Sequence, residues 1–235
     1  MTVSGLEQDL SSEKPLYVRF SDEQKKTLLD DIGKIPPFRL NGLLMMVACA
    51  LGLALLGFLT IELTDPYKAA VLDQEESMFY GFQIPFSAFM GAFLGPVAGT
   101  VAVFLYLLTG LLFFPVFAGG GGLDYVAQPG FAYLVGMAVG CFYTGKLMTR
   151  ALGRKSRSGR SLLILLAGFA GVLVTHLVGS VGLGILWMFG LVTFPEVQHL
   201  WIQLTAAPVA YDISAAILLL CLVRVVRLVF WLVLY

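Results

Sequence analysis

Asp212, in the stretch Pro208-Val209-Ala210-Tyr211-Asp212, is an acid inside an otherwise apolar run. A carboxylate in hydrocarbon is costly, so it faces a partner, water or a ligand. No Lys or Arg stands within one helical turn of it, so that partner must come from another element or from a bound molecule. His176 and Ser180 are four residues apart and can share a helix face. Together with Asp212 they could make the Ser/His/Asp set of an intramembrane hydrolase. Neither G-x-S-x-G nor H-E-x-x-H occurs in the sequence, and the plain alternative for His176 is a hydrogen bond inside a helix bundle. Gly140-Cys141-Phe142-Tyr143-Thr144-Gly145-Lys146-Leu147 imitates a phosphate-binding loop. It has Leu147 where a Ser or Thr would hold magnesium, and no strand precedes it, so any ATP must be bound by another subunit. Cys49, Cys141 and Cys221 lie far apart in apolar runs and read as small buried thiols, with neither metal spacing nor a disulfide framework.

Pro115-Val116-Phe117-Ala118-Gly119-Gly120-Gly121-Gly122 carries a different kind of chemistry. Four successive glycines allow close backbone approach to a small molecule, with N–H and C=O groups as the contacts. The apolar residues before them suit a packed lid better than a flexible connector.

The elements that must position these residues are set by composition. Of the 235 residues 58% are hydrophobic and 13% charged, and the mean hydropathy is +0.87, against about 25% charged in an average soluble domain. A net charge of zero argues against nucleic acid as a partner. Apolar runs predict six transmembrane helices near 41–61, 79–94, 97–114, 130–149, 161–189 and 204–222. The fold class expected is therefore an all-α integral membrane bundle. Of the 15 Lys and Arg, Lys68 alone falls in a loop assigned outside. Both termini and the basic loop between spans four and five then lie inside, an N-in, C-in orientation. The outer loops, around Glu62 to Ser77, after Phe114 and around Pro195 to Gln203, are not basic, so they offer no positive field to an anionic ligand. Small residues recur four apart at Ala48/Gly52, Ala50/Ala54, Gly91/Gly95 and Gly136/Gly140, a spacing that lets helix backbones approach closely in lipid.

Residues 1–40 are polar and lack the apolar core of a signal peptide. They read as a cytoplasmic extension, with a capping box at Ser21-Asp22-Glu23-Gln24 opening a short helix over 22–32 and the six-helix domain filling 41–235.

At the glycine stretch the sequence resembles the BioY family, the substrate-binding S components of bacterial biotin transporters. The family pattern G-L-P-V-F-A-G-G-G-G after the third helix meets Phe114-Pro115-Val116-Phe117-Ala118-Gly119-Gly120-Gly121-Gly122, and its G-P-T-G-G-Y-L run meets Gln128-Pro129-Gly130-Phe131-Ala132-Tyr133-Leu134. Leu94-Gly95-Pro96 through Gly99, Gly184-Ile185-Leu186-Trp187 and Pro208 to Asp212 follow in the family's order, over about residues 40–228. The chain departs from the pattern at Ala215, where the family usually has Lys, and at Gly130-Phe131-Ala132 in place of Thr-Gly-Gly.

The resemblance implies an S component of an energy-coupling-factor (ECF) transporter in the cell membrane, a transport protein rather than an enzyme, without a cofactor or a metal. Its glycine-rich outer loop would lie over an outward-facing pocket for biotin. Phe117, Gly119, Gly120, Gly121, Tyr133, Trp187 and Asp212 are the expected substrate contacts, with Asp212 taking the ureido N–H groups. The expected partners are membrane lipid, a transmembrane T component docking on Ala50 and Ala54, and a pair of ATPase subunits. An S component for another small vitamin is the alternative that Ala215 keeps open. Single cysteines introduced at Ser158 and at Gln198, in a background without the native three, should react with impermeant maleimide from opposite sides of the membrane; labelling from one side would sink the six-span topology.

Overall fold

The computed structural model describes residues 40–72, 77–118 and 120–234. The expected N-terminal helix over 22–32 and Gly119 lie outside the described residues. The chain runs α1 (Leu40–Phe58), β1 (Thr60–Thr64), β2 (Ser77–Gly81), α2 (Gln83–Leu94), α3 (Pro96–Leu112), α4 (Phe131–Leu152), α5 (Arg157–Met188), α6 (Phe194–Trp201) and α7 (Val209–Leu234). A 3-10 turn at Leu123–Ala127 precedes α4, and a π turn at Ile202–Ala206 joins α6 to α7.

Each of the six apolar runs contains a helix, with two corrections to its limits. The second run begins as a strand: Ser77–Gly81 pairs antiparallel with Thr60–Thr64, setting Tyr80 opposite Ile61, and helix starts only at Gln83. The alternating, β-branched Thr60-Ile61-Glu62-Leu63-Thr64 is the signal for it. The sixth run starts later than expected, because α6 and the π turn intervene before Val209. Helix α6 opens on a capping box at Thr193-Phe194-Pro195-Glu196, in which Thr193 donates from its backbone N–H (2.7 Å) and its hydroxyl (2.9 Å) to Glu196 Oε2. Those two bonds hold the Glu196 carboxyl below the usual carboxylate range.

By length and composition, α4, α5 and the stretch Phe194–Val229 can each cross a membrane, and the other three apolar helices are shorter. Large apolar side chains such as Leu51, Leu55, Phe104, Leu166, Leu177, Val181 and Leu218 cover the outside of the bundle, as a lipid-facing surface requires. Cys141 is buried and Cys49 half-buried as expected of structural thiols, whereas Cys221 is exposed on this outer surface.

The helices meet through small residues. A methyl group at Gly136 would stand 2.6 Å from the Thr175 carbonyl oxygen, and one at Gly140 would collide with the Gly171 carbonyl and the Thr175 hydroxyl. Helices α4 and α5 therefore touch backbone to backbone. Across this seam Thr144 Oγ1 donates to the Ala167 carbonyl (3.2 Å), and Thr175 Oγ1 shares its proton between the Gly171 carbonyl of its own helix (3.0 Å) and the Gly136 carbonyl of α4 (3.2 Å). On its other side α4 receives the α2–α3 corner: a methyl at Gly145 would lie 2.6 Å from Pro96 N and 2.7 Å from the Gly91 carbonyl. The corner is one residue, Gly95, at φ 93°, a value open to glycine and strained for other residues. It folds α3 back on α2, since a methyl at Gly99 would be 2.9 Å from Gly91 Cα, whereas eight residues of straight helix would separate the two by about 12 Å.

In α1, Ala50 and Ala54 are half-buried against the core that includes Leu53, Met90 and Tyr106, at the edge of the exposed face formed by Leu44, Val47, Leu51 and Leu55.

The seam yields a test with opposite signs at two glycines. Gly140→Ala should lower the thermal midpoint in detergent although alanine favours helix by about 1 kcal/mol. Gly184→Ala, where a methyl meets open space, should leave it unchanged or raise it. Equal responses at the two positions would mean that the seam does not limit stability.

Candidate functional site

The site is built around the one acid of the sixth apolar run. Pro208 stands between the π turn and α7, the Asp212 N–H donates to the Pro208 carbonyl (2.9 Å), and Asp212 falls in the first turn of α7, where the helix dipole favours negative charge. Its side chain is 1% exposed, so its oxygens need partners inside the protein. They have two. Tyr80 of β2 donates its hydroxyl to Oδ1 at 2.8 Å, and His176 of α5 donates from Nε2 to Oδ2 at 2.9 Å. With the proton on Nε2, the buried His176 Nδ1 has no hydrogen-bond partner among the described residues. Burial first, and then the Asp212 carboxylate beside it, push the Tyr80 hydroxyl to a higher pKa, so Tyr80 serves as a donor.

Each partner is itself fixed from another direction. Strand alternation turns Tyr80 inward while Phe79 points out. The Tyr80 ring packs against Phe82 (5.1 Å between centroids) and Tyr211 (5.6 Å), and Tyr211 donates its hydroxyl to the Thr64 carbonyl (3.0 Å), which ties the hairpin to α7. The edge of the His176 ring meets Tyr133 at 6.0 Å, and the Tyr133 hydroxyl bonds Thr205 Oγ1 (2.7 Å) in the π turn.

Asp212 and Tyr80 open onto a cavity of about 710 Å³, within the range of small-molecule sites. Helices α1, α2 and α4 supply apolar wall at Leu56, Ile84, Leu134 and Met137, and the π turn adds Leu204. Polar groups come from Gln83, Asp124, Tyr125, Gln128, Tyr133 and Gln203, while Ala118, Gly120 and Gly121 bring the glycine stretch to its rim. Gln83 is oriented by the bond from its Nε2 to the Tyr106 hydroxyl (2.9 Å).

Of the contacts expected from sequence, Asp212, Tyr133, Gly120 and Gly121 line this cavity. Phe117 and Trp187 stand outside the lining. Phe117 is 1% exposed and packs between Tyr106 (5.3 Å) and Tyr125 (4.8 Å), while its N–H and carbonyl exchange bonds with Gly120 (3.0 Å each). It anchors the glycine stretch on α3, helped by the bond from Gly122 N–H to the Gly110 carbonyl (2.8 Å). Trp187, in the last turn of α5, is 49% exposed and meets Phe194 (5.7 Å). The Ser/His/Asp set is not assembled: Ser180 Oγ accepts from Trp201 Nε1 (3.1 Å), and the buried Nδ1 of His176 meets no hydroxyl among the described residues. The P-loop-like stretch 140–147 is helical within α4, so its N–H groups serve the helix.

Sequence reasoning missed Tyr80, Gln83, Asp124, Tyr125 and Gln128. Tyr80 and Gln83 stand in what reads as the start of a span, and the sequence groups His176 with Asp212 only within a candidate hydrolase set, with no sign that the two meet.

Residues 34–230 match the BioY family. A relative, the probable biotin transporter BioY of Lysinibacillus sphaericus, is 38% identical over 71 residues, which cover 30% of this chain and 36% of that protein. The chain thus matches about a third of the length of this curated relative. A crystal structure of the S-component for biotin from an ECF-type ABC transporter superposes with a TM-score of 0.55 and 22% identity, over 88% of this chain and 94% of that one, a likeness of fold.

The Asp212 triangle generates a stability test. His176→Leu leaves a buried acceptor one donor short, at a cost on the order of 1–2 kcal/mol in a membrane bundle. In a double-mutant cycle the loss from His176→Leu should shrink once Asp212→Asn is present. Additive losses in thermal unfolding would show that the two side chains do not act as a pair.

Proposed function

This chain belongs to the BioY family, and from that premise we propose that it binds biotin at the outer face of the cell membrane and carries it inward as the S component of an ECF transporter. The observation that carries the reading is the buried Asp212 carboxylate, held by Tyr80 and His176 at the wall of a largely apolar cavity. Biotin's ureido ring offers two N–H donors, and a carboxylate already bonded once on each oxygen has lone pairs left for them. Its fused sulfur ring and alkyl chain match the apolar wall at Leu134, Met137 and Ile84.

In this reading the six apolar helices span the membrane with both termini inside, and the glycine stretch covers the outer mouth. ATP is bound and hydrolysed by partner ATPases, coupled through a T component. That component docks on the exposed face of α1, with Ala50 and Ala54 at its edge. The reading is of transport, and the chain itself catalyses no reaction.

The cavity lining favours keeping one alternative, another vitamin, because among the described lining residues there is no Lys or Arg for a ligand's carboxylate. A thermal-shift series with a panel of vitamins on purified protein in detergent separates the two, since a specific ligand stabilises the folded state by mass action. Biotin should raise the midpoint. Asp212→Ala should weaken biotin about ten- to a hundredfold, the equivalent of about 1–3 kcal/mol for a ligand donor left unpaired. Stabilisation by a different vitamin and not by biotin would overturn the substrate assignment.

A further inference from the structure

A concentration of unbalanced charge lies away from the cavity, where α4 turns into α5. Lys146, Arg150, Arg154, Lys155, Arg157 and Arg160 fall within 15 residues, and no Asp or Glu occurs between Asp124 and Glu196. Arg160 is half-buried and the other five are exposed, and among the described residues none of the six is paired with a carboxylate. The local structure gathers them. The seam sets Gly136 against Thr175, Gly140 against Gly171 and Thr144 against Ala167, so it runs antiparallel and brings the last turn of α4 beside the first turn of α5. Between them the loop is closed by two bonds: Ser156 Oγ accepts from the Gly159 N–H (3.4 Å), and Arg160 Nη2 donates to the Arg154 carbonyl (2.8 Å). Six like charges held this close repel one another, and the repulsion is relieved by an anion from outside.

The surroundings specify what carries that anion. Helix α5 has 32 residues, a length of about 48 Å against about 30 Å for the hydrocarbon core of a bilayer, so its first turn has room to stand at headgroup level. Next to the cations both helices expose apolar side chains. On α4 these are Phe142 and Tyr143, with Lys146 Nζ 5.9 Å from the centre of the Phe142 ring; on α5 they are Leu162, Leu165 and Leu166. A soluble anion matches only the charges, whereas a molecule with an anionic head and apolar chains matches both surfaces. We infer that the α4–α5 turn is a binding surface for the phosphate headgroup of an anionic phospholipid, whose chains lie along the exposed sides of α4 and α5. The lipid neutralises the loop and braces the end of the seam. This surface is independent of which ligand the cavity takes.

The test titrates the full chain in detergent with phosphatidylglycerol or with phosphatidylcholine of the same chains and follows the thermal midpoint, which a bound lipid raises by mass action. Phosphatidylglycerol should bind about tenfold more tightly than phosphatidylcholine, and the preference should shrink as salt is raised. The triple variant Arg150→Gln, Arg154→Gln, Arg157→Gln should lose the preference. Because the three side chains are exposed, its lipid-free midpoint should stay at or above that of the parent, which verifies folding. Lys at the same three positions should keep the preference, since charge carries it. Glycerophosphoglycerol, the lipid without its chains, should give no shift at the concentrations where the lipid does. Equal binding of the two lipids by the parent overturns the inference. So does a preference that survives in the Gln variant, since the headgroup then sits elsewhere. A shift with glycerophosphoglycerol equal to that with the lipid makes the surface a site for soluble anions and overturns the lipid assignment.

Discussion

In lipid a helix gains nothing by exchanging a hydrocarbon neighbour for a leucine, so association depends on how closely backbones can approach and on hydrogen bonds between them. The rest of this structure follows from that constraint. Helix α4 packs against α2, α3 and α5, and at each contact a glycine stands where a side chain would collide with backbone. The threonines Thr144 and Thr175 then reach carbonyls on the facing helix. Leucine or valine at these positions would push the helices apart and cost both the close contact and the bonds.

That seam also sets the site. Near its upper end the Tyr133 ring lies against Gly179, which brings Tyr133 beside His176 one turn earlier on α5. His176 is thereby presented to α7, where Asp212 waits at a helix start. The third corner comes from outside the bundle, through Tyr80 on a two-stranded hairpin. A buried carboxylate with only one of these partners would be poorly compensated. The Asp212 side chain thus bonds to both the hairpin and α5 from α7, and the cavity opens where they meet.

The arrangement explains how an apolar pocket can be selective. Most of the wall has no hydrogen-bonding demand, so any hydrophobic body fits it. In the proposed reading, discrimination would rest on a small number of polar groups held in place: Asp212 behind its two donors, Gln83 against Tyr106, and the backbone groups of Ala118, Gly120 and Gly121 beside the Phe117 anchor. A ligand lacking donors leaves Asp212 unmatched, and that mismatch is worth more than a methylene in an apolar wall.

Several properties were determined by the sequence alone: hydropathy marked six helix-bearing runs, the lone acid in the sixth run pointed to the residue that lines the cavity, and the small-residue spacings at Gly91 and Gly136 marked the tight contacts. Each is a local property, readable because lipid tolerates so few polar groups. Only the tertiary structure decided which faces turn inward. In a membrane chain the lipid side and the core side are both apolar, so periodicity cannot separate a core anchor such as Phe117, or an exposed ring such as Trp187, from a cavity wall. It also decided that Ser77–Gly81 is a strand, because a five-residue apolar run beside a helix takes its conformation from the partner strand at Thr60–Thr64. The pairing of Asp212 with His176 and Tyr80 joins residues 36 and 132 positions apart. Only the folding of three separate elements onto one buried charge brings them within hydrogen-bonding distance.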